Sequence, residues 1–274
     1  MTIQKYSGAG NSFIVIDNLD DKVLNRKDFV ISAIEKDGRD MDGVIFVERS
    51  EVADFTMNYF NKDGTGDALC GNGLRCTARF ISDNCLSEKK ELRIEAVSKI
   101  YESKLNEDET IKISFPPPEK VKLNFKLKVH FEGWWEMLNC SYADVGSPHI
   151  VVFIDEIEKP KIENIEDVDI MEWGRNIRMH RDLMPEGANV NFVQVVDNEK
   201  GLLSIRSYER GVEGETLACG TGAISSAIVF YAIRTQRMPI TIITRSGETL
   251  TVEFDIEDRK IRKMFLSGNA ERIK

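Results

Sequence analysis

Two short segments of this chain place a cysteine just before a glycine-rich turn that leads into helix-forming sequence. They are ALCGNGLRCTA, from Ala68 to Ala78, and LACGTGAISSA, from Leu217 to Ala227. Glycine permits a tight turn and the close approach of a ligand. The first N–H groups of a helix have no partner inside it and lie at the positive end of its dipole. Each segment is therefore typical of an anion site beside a thiol.

The chemistry that two such segments support is the inversion of a carbon next to a carboxylate. The positive helix ends predict a lowered thiol pKa at both segments. If two thiols face one carbon from opposite sides, one thiolate removes a proton and the other thiol returns a proton to the opposite face. The helix ends stabilise the enolate-like charge that develops. This reaction needs no nicotinamide, pyridoxal phosphate or metal, and we expect no cofactor.

Isolated cysteines and histidines in the chain carry weaker signals. A lone cysteine is usually a small buried hydrophobe, and we interpret Cys76, Cys85 and Cys140 in that way. No Cys-x-x-Cys pair is present, and the three histidines lack metal-ligand spacing, so the sequence predicts no metal site. The repeated Cys-Gly-x-Gly frame favours function for Cys70 and Cys219.

The two cysteine segments occupy matching places in a chain that repeats itself faintly. GNSFIVID resembles GSPHIVVF, and GVIFVE resembles NVNFVQ, in the same order in both halves. The prolines of FPPPEK, which begins at Phe115, can continue neither a helix nor a central strand. We therefore predict an N-terminal half over residues 1–117 and a C-terminal half over residues 118–262. The last strand, at about 263–274, is expected to return to the N-terminal half.

Local patterns predict strands around one central helix in each half. Segments rich in β-branched residues and bounded by turn residues predict the strands. Residues 222–234 are almost all apolar or small, which is typical of a helix enclosed on all sides. Residues 74–83 form the matching helix. The predicted fold class is α+β, with two pseudo-symmetric halves that are each a barrel-like, mostly antiparallel sheet around a helix. The active site is expected in the cleft between the halves.

Composition limits the partners of the protein. The 274 residues carry a net charge of −9, with no long basic run, which argues against nucleic-acid binding. No apolar stretch is long enough to cross a bilayer, and the N-terminal residues lack the features of a signal peptide, so we expect no membrane association and a cytoplasmic location. Five cysteines, an odd number, make a poor disulfide framework.

Three longer segments identify the family that this sequence resembles. They are NKDGTGDALCGNGLR, NVNFVQV and YERGVEGETLACGTGA. By these segments, and over nearly its whole length, the chain resembles the pyridoxal-independent diaminopimelate epimerases. The resemblance implies an isomerase that interconverts L,L- and meso-diaminopimelate for lysine and peptidoglycan precursor synthesis. It also implies a small amino-acid substrate and a homodimer.

The resemblance also implies roles for individual residues of this sequence. The acid–base pair would be Cys70 and Cys219. The reacting carboxylate would be held by the backbone N–H groups of Gly71, Asn72, Gly220 and Thr221. The distal amino and carboxylate groups would be bound by Asn61, Asn189 and Arg210. Further side chains that would line the site are Asn11, His149 and Glu209.

Each binding role has a structural alternative on the sequence alone. Arg210 suits a carboxylate because its guanidinium donates two parallel hydrogen bonds, but an ion pair would also explain it. Asn61 and Asn189 are equally typical of turns and strand ends. A lone histidine such as His149 is more often structural.

Three departures from the family pattern leave the substrate open. Ser147 of GSPH replaces a family asparagine, the segment GRDMDG (Gly38 to Gly43) replaces a smaller glycine-rich segment, and Gly66 replaces a glutamate. A racemase of the same fold that acts on another amino acid is therefore an alternative. A non-catalytic amino-acid binding module is a second alternative. Isomerases of the phenazine type, which lack the thiol pair, are disfavoured because both thiols are present.

Overall fold

The computed structural model describes residues 1–37, 40–66 and 69–274, and it confirms the α+β class. Four residues lie outside the described residues: Gly38 and Arg39 of the GRDMDG segment, and Asp67 and Ala68 of the segment that leads to Cys70. The chain divides into two compact units. Unit 1 comprises residues 1–115 and 267–274, and unit 2 comprises residues 116–266.

The elements are numbered along the chain, beginning with those of unit 1. They are β1 (Ile3–Gly8), β2 (Asn11–Asp17), α1 (Arg26–Asp37), β3 (Gly43–Glu48), β4 (Phe55–Asn61), α2 (Gly71–Asp83), β5 (Glu91–Ala96), β6 (Lys99–Leu105) and β7 (Ile111–Phe115). Unit 2 contains β8 (Lys120–Phe131), β9 (Trp134–Asp144), β10 (Pro148–Phe153), α3 (Ile170–Arg178), β11 (Asn189–Asp197), β12 (Leu202–Glu209), β13 (Gly214–Thr216), α4 (Gly220–Ile233), β14 (Ile240–Ile243) and β15 (Thr249–Glu257). The chain returns to unit 1 along β16 (Lys260–Gly268) and ends with β17 (Glu271–Ile273).

The two units share one strand topology. In unit 1, β2 pairs in parallel with β3, β3 pairs antiparallel with β4, and β4 pairs in parallel with β5 after the crossover through α2. In unit 2, β10, β11 and β12 repeat this order, and β12 pairs in parallel with β14 after the crossover through α4. The strand pairings therefore repeat between the units in the same order as the faint sequence repeat.

Side-chain alternation gives the strands of unit 1 two buried faces. Ile14 and Ile16 of β2, with Val44 and Phe46 of β3, pack with residues near and within α1 such as Val30. Because alternate residues of a strand point to opposite faces, the intervening residues of β2 and β3 lie on the face toward α2. In unit 2, α3 covers the sheet in the place that α1 takes in unit 1, with Trp173 and Ile177 buried against the strands. Each sheet thus lies between two helices.

The helices that follow the two cysteines are enclosed by the strands of their own units. α2 contacts seven strands of unit 1, and α4 contacts β9, β10, β11 and β15. Residues 222–230 of α4 are all buried, which confirms that this apolar helix is enclosed. Both helices begin earlier than predicted, at Gly71 and Gly220, because the glycines assigned to the turn form the first helical turn. Among the described residues, no helix combines the length and the apolar composition needed to cross a bilayer.

Candidate active site

Cys70 and Cys219 are the N-caps of α2 and α4. Their φ and ψ angles are −124° and 107° for Cys70 and −121° and 108° for Cys219, which is extended backbone in both cases. Each sulfur accepts a hydrogen bond from the third residue of its helix, the N–H of Gly73 or of Gly222, at 3.3 Å. A side chain in this position satisfies one of the donors that a helix leaves unpaired at its start. Both thiols therefore lie at a positive helix end.

The cap of α2 is surrounded by amide side chains. The side-chain amide of Asn72 donates to the side-chain oxygen of Asn11, and the side-chain nitrogen of Asn11 donates in turn to the carboxylate of Asp42 at 3.2 Å. The carboxylate of Asp42 also accepts from the backbone N–H of Ser12 at 2.8 Å. Arg75, which is fully buried, donates to the side-chain oxygen of Asn72 at 2.8 Å. The structure thus brings Asn11 and Asn72 together beside Cys70.

Asn61 lies at the end of β4 and takes part in a turn. Its side-chain oxygen accepts from the hydroxyl of Tyr59 at 2.9 Å, and its amide donates to the hydroxyl of Thr65 at 3.0 Å. Its backbone carbonyl accepts from Gly64, whose φ of 76° is a conformation that favours glycine. Asn61 therefore makes the contacts of a turn residue, which is the structural alternative for this position. A binding role for this side chain stays a prediction.

The cap of α4 is more deeply buried and is surrounded by groups that titrate or carry hydroxyls. The Cys219 thiol, 5% exposed, forms a hydrogen bond with the carboxylate of Glu209, which also accepts from Thr216. The hydroxyl of Thr221 lies 3.6 Å from the same sulfur. Burial raises the pKa of Glu209, while its hydrogen bonds to Thr216 and Cys219 act in the opposite direction.

His149 and Ser147 meet the same hydroxyl from β10 and the turn before it. Nε2 of His149 lies 2.9 Å from Thr221 Oγ1, and the Ser147 hydroxyl lies 3.2 Å from that atom and 3.0 Å from His149 Nε2. His149 is fully buried, and this burial, with a smaller contribution from the charge of Arg210, lowers its pKa to about 3. The imidazole is therefore neutral at physiological pH.

Asn189 and Arg210 lie near each other at the strand ends of unit 2. The side-chain oxygen of Asn189 accepts from the backbone N–H of Arg210 at 2.8 Å, and its amide donates to the carbonyl of Pro148 at 3.3 Å. The guanidinium of Arg210 is exposed, and within the described residues it forms no ion pair. Arg210 and Pro148 line a cavity of about 660 Å³ within unit 2 that also includes Tyr142, Glu186 and three lysines of β8. Cys219 and His149 do not line this cavity.

The prediction of a lowered thiol pKa is wrong for Cys219. Burial, followed by the negative charge of Glu209, raises its pKa well above the ordinary value. The hydrogen bonds from Thr221 and from the N–H of Gly222 act in the opposite direction but are the smaller effects. Desolvation therefore outweighs the helix end at this cap, and Cys219 rests as a protonated thiol at neutral pH.

Two side chains at the α4 cap were not predicted from the sequence. Asn191 of β11 and Ser207 of β12 are both buried, and Asn191 donates to Nδ1 of His149 at 3.0 Å. The sequence could have indicated Asn191: when GVIF is aligned with NVNF, this polar residue stands where the N-terminal half has the apolar Ile45. In the part of the chain that the structure describes, no group of three His, Cys, Asp or Glu residues could hold a metal ion.

Comparison with known proteins places these caps in a family. The pattern of the family described as diaminopimelate epimerase matches residues 3–121 and 141–273. The chain belongs to the diaminopimelate epimerase family. Diaminopimelate epimerases of Chlorobaculum tepidum and Aquifex aeolicus are each 35% identical to it, over 97% of both chains in the first case and over 100% of this chain and 96% of the relative in the second.

Solved structures share the fold at lower sequence identity. A Bacillus anthracis phenazine biosynthesis protein of the PhzF family superimposes with a TM-score of 0.72 at 18% identity, over 99% of this chain and 96% of its own. A probable proline racemase from Agrobacterium radiobacter gives a TM-score of 0.69 at 14% identity, over 99% and 90%. At these identities the likeness establishes the fold alone. Family membership therefore rests on the sequence relatives.

Proposed function

We propose that this protein is an isomerase that interconverts L,L-diaminopimelate and meso-diaminopimelate without a cofactor. The observation that carries the proposal is the pair of cysteine-capped helices, which have the same backbone geometry in two units of shared topology. Membership in the diaminopimelate epimerase family, with relatives of that name matched over nearly the whole chain, supports the substrate.

The mechanism we propose uses one thiolate and one thiol on opposite faces of the α-carbon. Because its pKa is raised, Cys219 rests as a thiol and serves first as the proton donor. Cys70, half-buried at the start of α2, supplies the thiolate that removes the α-proton. The C–H electron pair enters the carboxylate as an enolate and then takes the proton of Cys219 from the other face. Each turnover exchanges the protonation states of the two sulfurs, and solvent restores them.

Backbone donors and charged side chains provide the binding groups in this proposal. The first N–H groups of both helices, at Gly71, Asn72, Gly220 and Thr221, would hold the reacting carboxylate and its enolate charge. Arg210 would bind the distal carboxylate, and its exposed guanidinium, which lacks an ion pair among the described residues, supports this role. The remaining contacts to substrate would come from Asn11, Asn61, Asn189, Glu209, Ser147 and His149.

A racemase that acts on another amino acid is the second candidate, and Ser147 favours it. The hydroxyl of Ser147 is engaged with His149 and Thr221, so it does not supply the amide that the family pattern has at this position. A site that hydrogen-bonds its ligand discriminates strongly against a ligand that leaves those bonds unmade. The reaction chemistry is the same for both candidates.

Proton exchange in D2O tests the proposal directly. The reduced protein is incubated with L,L-diaminopimelate without added cofactor, and NMR follows the loss of the α-proton signal and the formation of the meso isomer. We expect exchange with inversion in the unmodified protein. Cys70→Ser and Cys219→Ser should each slow inversion by roughly 10²- to 10⁴-fold, the usual contribution of a positioned acid or base.

Cys85→Ser is the matched control, because Cys85 is an exposed free cysteine outside both caps and its loss should leave the rate unchanged. The absence of exchange in folded, reduced protein would exclude diaminopimelate, and other L-amino acids would then be assayed. If ligand binding alone were measurable and survived both cysteine substitutions, the protein would be a binding module instead.

Location and assembly form a further part of the proposal. We include a cytoplasmic location, which the odd number of cysteines, five, supports, because an odd and sparse set makes a poor disulfide framework. A homodimer follows from the family resemblance, and sedimentation of the purified chain at several concentrations would test it.

A further inference from the structure

The amide of Asn191 has a fixed orientation in the interior of unit 2. Its nitrogen donates to the backbone carbonyl of Ile150 at 3.1 Å and to Nδ1 of His149 at 3.0 Å. Its oxygen accepts from the hydroxyl of Ser207 at 2.8 Å. A carbonyl oxygen can only accept, so the nitrogen of the amide must face Ile150. Both amide protons and the amide oxygen of Asn191 are thereby used.

This orientation decides which nitrogen of His149 carries the proton. An imidazole nitrogen that accepts from Asn191 holds no proton of its own, so the neutral ring is protonated at Nε2. Nε2 then donates to Thr221 Oγ1 at 2.9 Å. The amide nitrogen of Asn189 also lies 3.4 Å from Nε2, but it donates to the carbonyl oxygen of Pro148, and the contact of Asn191 with Nδ1, at 3.0 Å, is the shorter one to the ring. The pKa of His149, lowered to about 3 by burial, excludes the imidazolium, which would be protonated on both nitrogens.

The proton of the Thr221 hydroxyl is consequently directed at sulfur. A hydroxyl has two acceptor positions and one proton. Oγ1 of Thr221 accepts from His149 and from Ser147, which leaves its own proton for Cys219 Sγ at 3.6 Å. A donor on sulfur stabilises the thiolate relative to the thiol.

The corresponding place in unit 1 shows that the fold does not require these polar side chains. Phe13 pairs with Gly43 in the register in which His149 pairs with Asn189, so Phe13 and His149 correspond. Ile45 and Asn191 each lie two residues further along the neighbouring strand and each lie against the third residue of the capped helix. Buried polar groups are costly unless they are fully paired. Their presence in unit 2 alone indicates a role specific to the α4 cap.

We propose that Asn191 is a positioning residue for Cys219: it fixes the tautomer of His149 and thereby directs the hydroxyl proton of Thr221 at the sulfur. Only the effect of Asn191 on catalysis rests on the proposed function. The hydrogen-bond order itself is a property of the free protein.

The charged and titratable groups around this cap are defined. Glu209 of β12 acts on the Cys219 sulfur through its charge, and Arg210, directly after β12, acts on His149. His149 itself faces the cap from β10. The hydrogen bonds that run from Asn191 through His149 and Thr221 end in a donor to the Cys219 sulfur, which favours the thiolate. The negative charge of Glu209 raises the pKa of Cys219 and so disfavours the thiolate.

The first test is the tautomer of His149 in the unmodified full-length protein. Long-range proton–nitrogen NMR of the ¹⁵N-labelled chain distinguishes the three histidine rings, and His130→Gln and His180→Gln assign them by elimination. We expect His149 to be protonated at Nε2 alone, without change from pH 5.5 to 8.5. A ring protonated at Nδ1, or one that titrates in this range, overturns the proposal, and this readout needs no variant at Asn191.

The second test measures the thiolate of Cys219 through its rate of reaction with iodoacetamide as a function of pH, resolved by peptide mass spectrometry. Asn191→Leu removes the donor to His149 while keeping a similar volume. We expect alkylation of Cys219 at a fixed pH to slow by roughly tenfold, the effect of one hydrogen bond to a charged group. Simple loosening of the fold would accelerate it instead, so an unchanged or faster rate overturns the proposal.

Ser207→Ala is the matched control, because it removes a hydrogen bond of Asn191 and keeps its bond to His149. We expect the tautomer and the Cys219 profile to remain as in the unmodified protein. Thr221→Val should slow alkylation as Asn191→Leu does, and the double variant should be no slower than Thr221→Val alone. An additional loss in the double variant would show that Asn191 acts by another route.

These measurements use the protein without substrate, so they separate the two proposals. Absence of epimerase activity alongside the expected tautomer and alkylation rates would refute the proposed function and leave the positioning role intact. Activity alongside the wrong tautomer would do the reverse.

Discussion

The cap of α2 and the cap of α4 can be compared position by position, because the same order of strands surrounds each. Backbone angles and the hydrogen bond to sulfur agree closely between Cys70 and Cys219. The surrounding side chains differ. Phe13 and Ile45 lie beside α2 at the positions that His149 and Asn191 take beside α4.

This difference separates what a duplicated backbone preserves from what side chains decide. Both caps keep a thiol at a positive helix end, because the extended cysteine and the helical glycines that follow it set that geometry locally. The protonation of the thiol depends on burial and on neighbouring charge. Cys219 is buried beside Glu209, whereas Cys70 is half-buried. We therefore expect the two sulfurs to be chemically unequal in the free protein.

The largest expected consequence is a difference in thiol reactivity. Cys70 is half-buried, whereas Cys219 is 5% exposed and has a raised pKa. Because the thiolate is the reactive form, iodoacetamide at pH 7.5 should modify Cys70 roughly 100-fold faster than Cys219. Peptide mass spectrometry over a time course measures both rates. Cys140, whose pKa burial raises to about 12, serves as the unreactive reference. Equal rates at the two caps would remove the proposed asymmetry.

A second comparison substitutes the third glycine of each helix. A Cβ at position 222 would lie 2.3 Å from Oδ1 of Asn191, which three hydrogen bonds hold in place. A Cβ at position 73 would meet the flexible end of Ile45 at 3.2 Å. Since alanine favours both helices alike, Gly222→Ala should lower the free energy of unfolding by about 2 to 3 kcal/mol more than Gly73→Ala. Urea unfolding of the two variants measures the difference, and equal losses would contradict it.

The smallest expected effect is acid sensitivity confined to the α4 cap. The folded-state pKa of His149, about 3, lies below the unfolded value of about 6.5, so the unfolded chain binds a proton first. Local stability at α4 is therefore complete above pH 6.5 and falls as the pH drops towards 3, by about 2 kcal/mol between pH 6.5 and 5. The amides of Asn11 and Asn72 beside α2 do not titrate.

Hydrogen exchange of α2 and α4 at the two pH values, corrected for intrinsic rates, measures this difference. In the control His149→Gln the loss of protection of α4 at low pH should disappear, because the titrating group that remains at this cap, Glu209, has a raised pKa and stabilises the folded state as the pH falls. Equal loss of protection in both helices of the unmodified protein would mean that His149 does not control the acid response.

Much of the site could be predicted from sequence because its signals are local. The Cys-Gly-x-Gly frame predicted a helix start close after each cysteine, and the run of apolar residues after Cys219 predicted an enclosed helix, which α4 confirms. The helix starts were placed too late, because glycine is a weak helix former and its role in the first turn depends on the cap. The cap residue became evident only from its backbone angles and hydrogen bond.

Asn191 and the state of Cys219 could not be predicted because they depend on contacts between distant residues. Asn191 reaches His149 across 42 positions of sequence, and His149 reaches Thr221 across 72. Sequence spacing alone does not say which side chains of neighbouring strands converge on a helix start.

The sequence by itself determined the duplicated strand–helix order, the two thiols at helix starts and the family, because each follows from local pattern and residue identity. Only the tertiary structure decided which thiol is buried beside a carboxylate and which hydroxyl faces it. The physical reason is that desolvation and hydrogen bonding act through distances in space, and the fold sets those distances by joining strands that are far apart in the chain.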